Sequence, residues 1–135
     1  MTEDYTSFEI AKLLKEKGFD EPCNAVYRKT LKDNKFIDEP DFYTTTWVKS
    51  NSELIESGFK DIVFCSAPSL ALAMKWLREV HKLAINIEFQ IDFPTWKWRI
   101  YHIEPSEDKH TNFKHYDTYE EACEAAIKYC LENLI

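Results

Sequence analysis

Within the 135-residue sequence, the segment Trp96-Lys97-Trp98-Arg99 has the residue types best suited to binding chemistry. Aromatic faces beside cations hold single-stranded nucleic acid by stacking and charge. In a strand, however, successive side chains point to opposite faces, so the two tryptophans share one face while Lys97 and Arg99 share the other. That separation favours tryptophans that are core or that form a protein-binding patch, and it disfavours direct nucleic-acid binding. The candidate binding residues are Trp96, Trp98, Arg99 and Tyr101, with a protein partner or a second copy of the chain as what they would bind. Fully burying one such ring contributes on the order of 2 to 3 kcal/mol, so neither tryptophan is idle.

Catalytic constellations are weaker. Cys65 precedes Ser66-Ala67-Pro68-Ser69, which reads as a helix start, where the helix dipole lowers a thiol's pKa. A cysteine enzyme also needs a base, and nothing in the spacing brings His81, His102, His110 or His115 to Cys65. Glu88, with Asp61 or Asp92 near it in sequence, suggests the strand carboxylates of metal-dependent nucleases. Gln90 stands where such a site carries a lysine, and the alternation puts Glu88, Gln90 and Asp92 on a solvated face. His110 and His115 read as surface residues, and two glycines can hardly build a phosphate-cradling loop. No catalytic residue, metal ligand or cofactor is assigned, and a metal- or cysteine-dependent enzyme stays a minor alternative.

Charge narrows the partners. Twenty-four acidic and 17 basic side chains leave a net charge of −7, of which five units fall in residues 101–135. Duplex nucleic acid is bound through neutralised phosphates and anionic lipid through basic patches, so both are disfavoured. A second alternative follows from the same count: the C-terminal carboxylates could imitate nucleic acid and block a nucleic-acid-binding protein. Four cysteines form no CxxC pair, and Cys123 and Cys130, about 10.5 Å apart along a helix, are too distant to bond. Reduced, buried thiols are expected, as is a cytoplasmic protein, since no positively charged leader opens the chain and no run reaches the roughly 18 apolar residues that span a bilayer.

These residues must be positioned by elements that the sequence announces. Thr6-Ser7-Phe8-Glu9 reads as a capping box opening a helix with a Phe8, Ala11, Leu14 stripe, which Gly18 stops. Strands are predicted around 24–31 and 42–48, a helical turn near Ser52, and a short strand at 62–64. Pro68 opens a central helix that ends near Lys82, with Leu70, Ala73, Leu77 and Val80 on one face and Leu72 and Trp76 widening it. Strict alternation of Ile85, Ile87, Phe89, Ile91 and Phe93 with polar residues marks a strand with one buried face. Its partner runs over 96–103, and an edge strand is predicted at 113–116. A second capping box, Thr118 to Glu121, starts a last helix whose inner face is Tyr119, Ala122, Cys123, Ala126, Ile127, Cys130 and Leu134. The acids at 117, 120, 121 and 124 complement its positive end.

Three blocks, Thr6 to Leu14 and on to Cys23, Ser66 to His81, and Asp117 to Ile135, resemble small uncharacterised proteins from prophage and mobile-element regions of gut anaerobic bacteria. The resemblance covers about half the chain and implies a genomic setting; it carries no catalytic residues. With helices and strands in runs and no βαβ alternation, the expected fold is a single α+β domain over 1–135. Its sheet is expected to be largely antiparallel, with about three α-helices packed mainly on one face. The function expected is that of an acidic interaction protein of a mobile element.

Overall fold

The computed structural model describes residues 4–28, 41–42, 51–52, 64–103 and 109–135. Helices and antiparallel sheets are segregated along the chain, which makes the fold α+β. The strands divide between two three-stranded sheets, one in each of two compact units, Met1–Ser69 and Leu70–Ile135.

In the first unit, α1 (Phe8–Glu16) is capped by Ser7, whose hydroxyl accepts from the Ile10 amide at 3.4 Å. The sequence placed Thr6 in that role. Thr6 is instead fully buried, and its amide and hydroxyl both donate to the Pro68 carbonyl at 2.9 Å. Gly18 ends the helix at φ +94°, a backbone shape that side chains with a Cβ rarely adopt. Strand β1 (Ala25–Arg28) lies between β2 (Asp41–Phe42) and β3 (Phe64–Ser66), antiparallel to both. Cys65 therefore sits inside a strand and not at a helix start, the following helix beginning at Leu70; residues 62 and 63 of the strand predicted at 62–64 lie outside the described residues. The core combines Ala11, Ala25, Tyr27, Cys65 and Ala67, with Tyr5 and Phe8 packed against it.

Asn51 braces this unit. It is buried, donates to the Phe19 carbonyl at 2.9 Å and accepts from the Ser66 amide at 2.9 Å. Each of those backbone groups would cost about 1 to 3 kcal/mol if left buried and unpaired. Asn51 and Ser52 are helical, as the sequence suggested; residues 53–60 and the greater part of the 42–48 prediction lie outside the described residues.

The second unit starts with α2 (Leu70–Val80), which buries Leu70, Ala73, Trp76 and Leu77. The chain leaves it through Lys82 at φ +56°, a left-handed position held by a non-glycine residue. Strands β4 (Leu83–Gln90) and β5 (Thr95–His102) pair in full register, and β6 (Lys109–Thr111) adds to the far side of β5. The register sets Ile85 opposite Ile100, Ile87 opposite Trp98 and Phe89 opposite Trp96, so these residues share one sheet face. Helices α2 and α3 (Tyr119–Tyr129) pack on this sheet and on each other.

The edge strand predicted at 113–116 is displaced to Lys109–Thr111, with a lone antiparallel bridge from Trp96 to Tyr116 beyond it. The Asn112 to His115 stretch detours between them, carrying Phe113 almost fully into solvent. Thr118 caps α3 by accepting from the Glu121 amide at 3.1 Å, as the capping box requires. Beyond Tyr129 the helix widens into a π-helical segment, Cys130–Leu134. Longer i→i+5 spacing turns Leu131 inward beside Cys130 and leaves Leu134 half-buried, which corrects the predicted inner face. Tyr119, also assigned to that face, is 40% exposed. Among the described residues no helix is long and apolar enough to cross a membrane.

Candidate functional site

The sheet of the second unit sorts the four candidate binding residues onto two faces. Trp98 is 1% exposed, stacked against Tyr129 with ring centroids 5.1 Å apart, and its indole N–H donates to the Tyr116 hydroxyl at 3.4 Å. It is a core residue and cannot present itself to a partner; the register that places it opposite Ile87 under α3 is the reason. Trp96 lies on the same face but nearer the hairpin turn, half-buried between Phe89 at 5.0 Å and Tyr119 at 5.4 Å. Arg99 and Tyr101 point to the opposite face. The Arg99 guanidinium is held 3.4 Å from Glu88, whose carboxylate also accepts from Asn86 at 3.3 Å. Such a surface pair is worth about 0 to 1 kcal/mol, enough to occupy the cation without anchoring the fold. The four residues do not form one surface.

What the sequence pattern hid is the end of the β4–β5 hairpin. Alternation predicts Ile91 and Phe93 as continuations of the buried face, yet β4 ends at Gln90 and both residues fall in the turn, 85% and 69% exposed. Phe89 at 49% and Tyr119 at 40% flank Trp96 on the adjoining strand face, while Phe93 meets His115 at 6.2 Å. The signal for the exposed turn was Pro94 closing a long alternating run: the alternation outlasts the strand, which ends at Gln90, so its last apolar members fall in the turn.

A groove lies between α2 and β4. A cavity of about 500 Å³ is lined by Ala71, Met74, Lys75 and Arg78 of α2, by Ile85, Asn86 and Ile87 of β4, and by Tyr119. Positions 71, 74, 75 and 78 form one helical stripe, adjacent to the buried stripe at 70, 73 and 77. Its lining is mixed: apolar side chains from both elements stand beside Asn86 of β4 and the cations Lys75 and Arg78 of α2. Lys75 and Arg78 are exposed, and among the described residues no carboxylate lies within ion-pair distance of either.

Burial pushes the Tyr119 hydroxyl above its ordinary pKa, with Cys123 adding to the effect, so it is a neutral phenol at physiological pH. The thiols are poorly suited to nucleophilic chemistry. Burial raises Cys65 to about 11, and Cys23 and Cys130 to about 12, opposite to the lowering that a reactive cysteine needs. All four cysteines are free and buried. Glu88 is engaged by Arg99, and Asp61 lies outside the described residues.

Of the two histidines read as surface residues, His115 is exposed and His110 is half-buried. His115 hydrogen-bonds the Thr95 hydroxyl at 2.6 Å, beside Phe93. His110, opposite Ile100 on β6, meets His102 of β5, with 2.9 Å between the two Nε2 atoms. Eight residues separate them, and only the β5–β6 register brings them together. Among the described residues no group of three or more histidine, cysteine or acidic side chains could hold a metal.

The described C-terminal acids are spread along α3 and its extension. Glu120 and Glu121 sit in the first turn of α3, whereas Glu132 lies at the far end, 3.8 Å from Lys128. Comparison with protein-family models, with curated proteins and with solved structures finds no match to this chain.

Proposed function

We propose that this protein is a non-enzymatic interaction protein, and that its second unit docks a segment of a partner protein along the α2–β4 groove and the hairpin end. The observation that carries this reading is that Ile85 and Ile87, which line the groove, share one face of β4 with exposed Phe89, and that Tyr119, which also lines the groove, meets Trp96 beside Phe89, with exposed Ile91 and Phe93 in the turn that follows. Isolated surface hydrophobics need no explanation, but a contiguous aromatic patch rimmed by polar groups marks an interaction site. Lys75 and Arg78, which have no ion-pair partner among the described residues, set the chemistry of the occupant: a segment with two or three apolar side chains and at least one carboxylate. A second copy of the chain is a poorer occupant, because two molecules of net charge −7 repel as they approach. The phage or mobile-element setting fits such an adaptor and rests on the sequence resemblance alone.

A random-peptide selection against the full-length protein tests this. Enriched peptides should combine aspartate or glutamate with aliphatic or aromatic residues. Their affinity should fall at least tenfold for Lys75→Glu/Arg78→Glu and for Ile91→Asp, two surface changes that leave the core intact. Enrichment of peptides that bind both variants as well as the parent would overturn the assignment, as would failure to enrich any.

A further inference from the structure

We propose that His102 and His110 form a binding site for a late first-row divalent metal ion, copper(II) above all. The site is independent of the docking groove. His102 is carried by β5 and His110 by β6, on the sheet face that bears Ile100, and their Nε2 atoms are 2.9 Å apart. Their ring centroids are 5.0 Å apart, so the imidazoles meet nearly end to end. Tyr129 of α3 packs against His110 with centroids 5.8 Å apart, and against Trp98 on its other flank, so the second ring is backed by the core.

Two imidazole nitrogens at this distance share one proton: one Nε2–H donates and the other nitrogen accepts, because two lone pairs facing each other repel. A metal ion that replaces the shared proton bonds to both nitrogens at once. With metal–nitrogen bonds of about 2.05 Å, a 2.9 Å separation subtends about 90° at the metal, the angle between neighbouring ligands in square-planar or tetragonal coordination. A tetrahedral ion needs the nitrogens about 3.3 Å apart, so the strands would have to yield before zinc fits as well. Both nitrogens are imidazole donors, which suit copper and nickel, and copper stands highest in divalent affinity. Uptake turns each ring toward a common point beside the line that joins them, and the donor ring's proton passes through solvent to its own Nδ1, so both rings bind as neutral imidazoles with no net proton released. Two protein ligands leave the remaining positions to water, which sets the affinity in the micromolar range and not at that of a structural site.

Copper(II) chloride, titrated into the full-length protein against glycine as competitor, tests the site by calorimetry and electron paramagnetic resonance. One equivalent should bind, with hyperfine structure from two imidazole nitrogens. His102→Gln and His110→Gln should each weaken binding at least tenfold, while His115→Gln leaves it unchanged. Circular dichroism of each variant confirms the fold, and the two-nitrogen signature of the parent protein stands regardless of how the variants behave. A signal from one nitrogen or from more than two, a loss on His115→Gln, or a less than tenfold change in both the His102 and His110 variants would each overturn the proposal. Binding of copper with the groove variants Lys75→Glu/Arg78→Glu should equal that of the parent.

Discussion

The ionisation of His81 bears on stability just below neutral pH. This residue follows α2 and meets Trp76 edge-on at 4.7 Å, and its buried Nε2 has no hydrogen-bond partner among the described residues. Burial lowers its pKa below the ordinary 6.5, since the charged imidazolium loses hydration there. The unfolded chain thus binds a proton at a higher pH than the folded chain does. Stability contributed by the neutral ring is complete above about pH 6.5 and is lost as pH falls from there through the folded-state value. Urea midpoints measured from pH 7.5 to 5 should decline, and His81→Phe should flatten that part of the profile. An unchanged slope in the variant would assign the pH dependence to other groups. Asn51 shows the opposite solution at the same scale: a buried polar side chain with both ends of its amide engaged.

At the scale of elements, helix ends illustrate how local backbone shape is bought or avoided. Gly18 takes φ +94°, and a Cβ added there would meet nothing within 4 Å. Gly18→Ala should therefore destabilise by about 1 kcal/mol through backbone strain alone, with no repacking of the core. Chemical denaturation would show it as a lower midpoint with an unchanged slope. This ending was legible in the sequence because glycine is specific to that conformation, and the cap at Thr118 was legible because its hydroxyl satisfies one defined amide, that of Glu121. The β4–β5 pairing followed from alternation. What could not be read was decided by long-range pairing. Ser7 caps α1 because Thr6 is drawn to the Pro68 carbonyl, 62 residues away in sequence. The third strand forms at Lys109–Thr111 because Thr111 can pair with Arg99 and still leave Tyr116 to bridge Trp96. The His102–His110 meeting depends on that same register, and the Trp96, Trp98, Arg99, Tyr101 set dissolved because a strand's two faces meet different surroundings. Local pattern does not encode which face a helix covers.

For the molecule as a whole, net charge and local charge oppose each other. A carboxylate-bearing peptide approaching a protein of charge −7 is repelled at long range, while contact brings it against Lys75 and Arg78. Salt acts on the two differently, because the Debye length shortens from about 30 Å at 0.01 M to about 10 Å at 0.1 M. Stopped-flow mixing with a selected peptide should show association accelerating as salt rises over this range, and dissociation accelerating as well. Association that slows with salt would mean that Lys75 and Arg78 dominate the field even at a distance.

The bridge between Trp96 and Tyr116 bears on how costly such an encounter is. Each residue's amide donates to the other's carbonyl, at 2.7 and 2.8 Å, which pins the start of β5 just where the exposed aromatics gather. Trp96 is thus fixed by its own backbone before any ligand arrives, and Phe89 and Tyr119 rest against a ring that is already in place. An exposed patch ordered in advance surrenders little conformational entropy when it is covered, so more of the buried area is expressed as affinity.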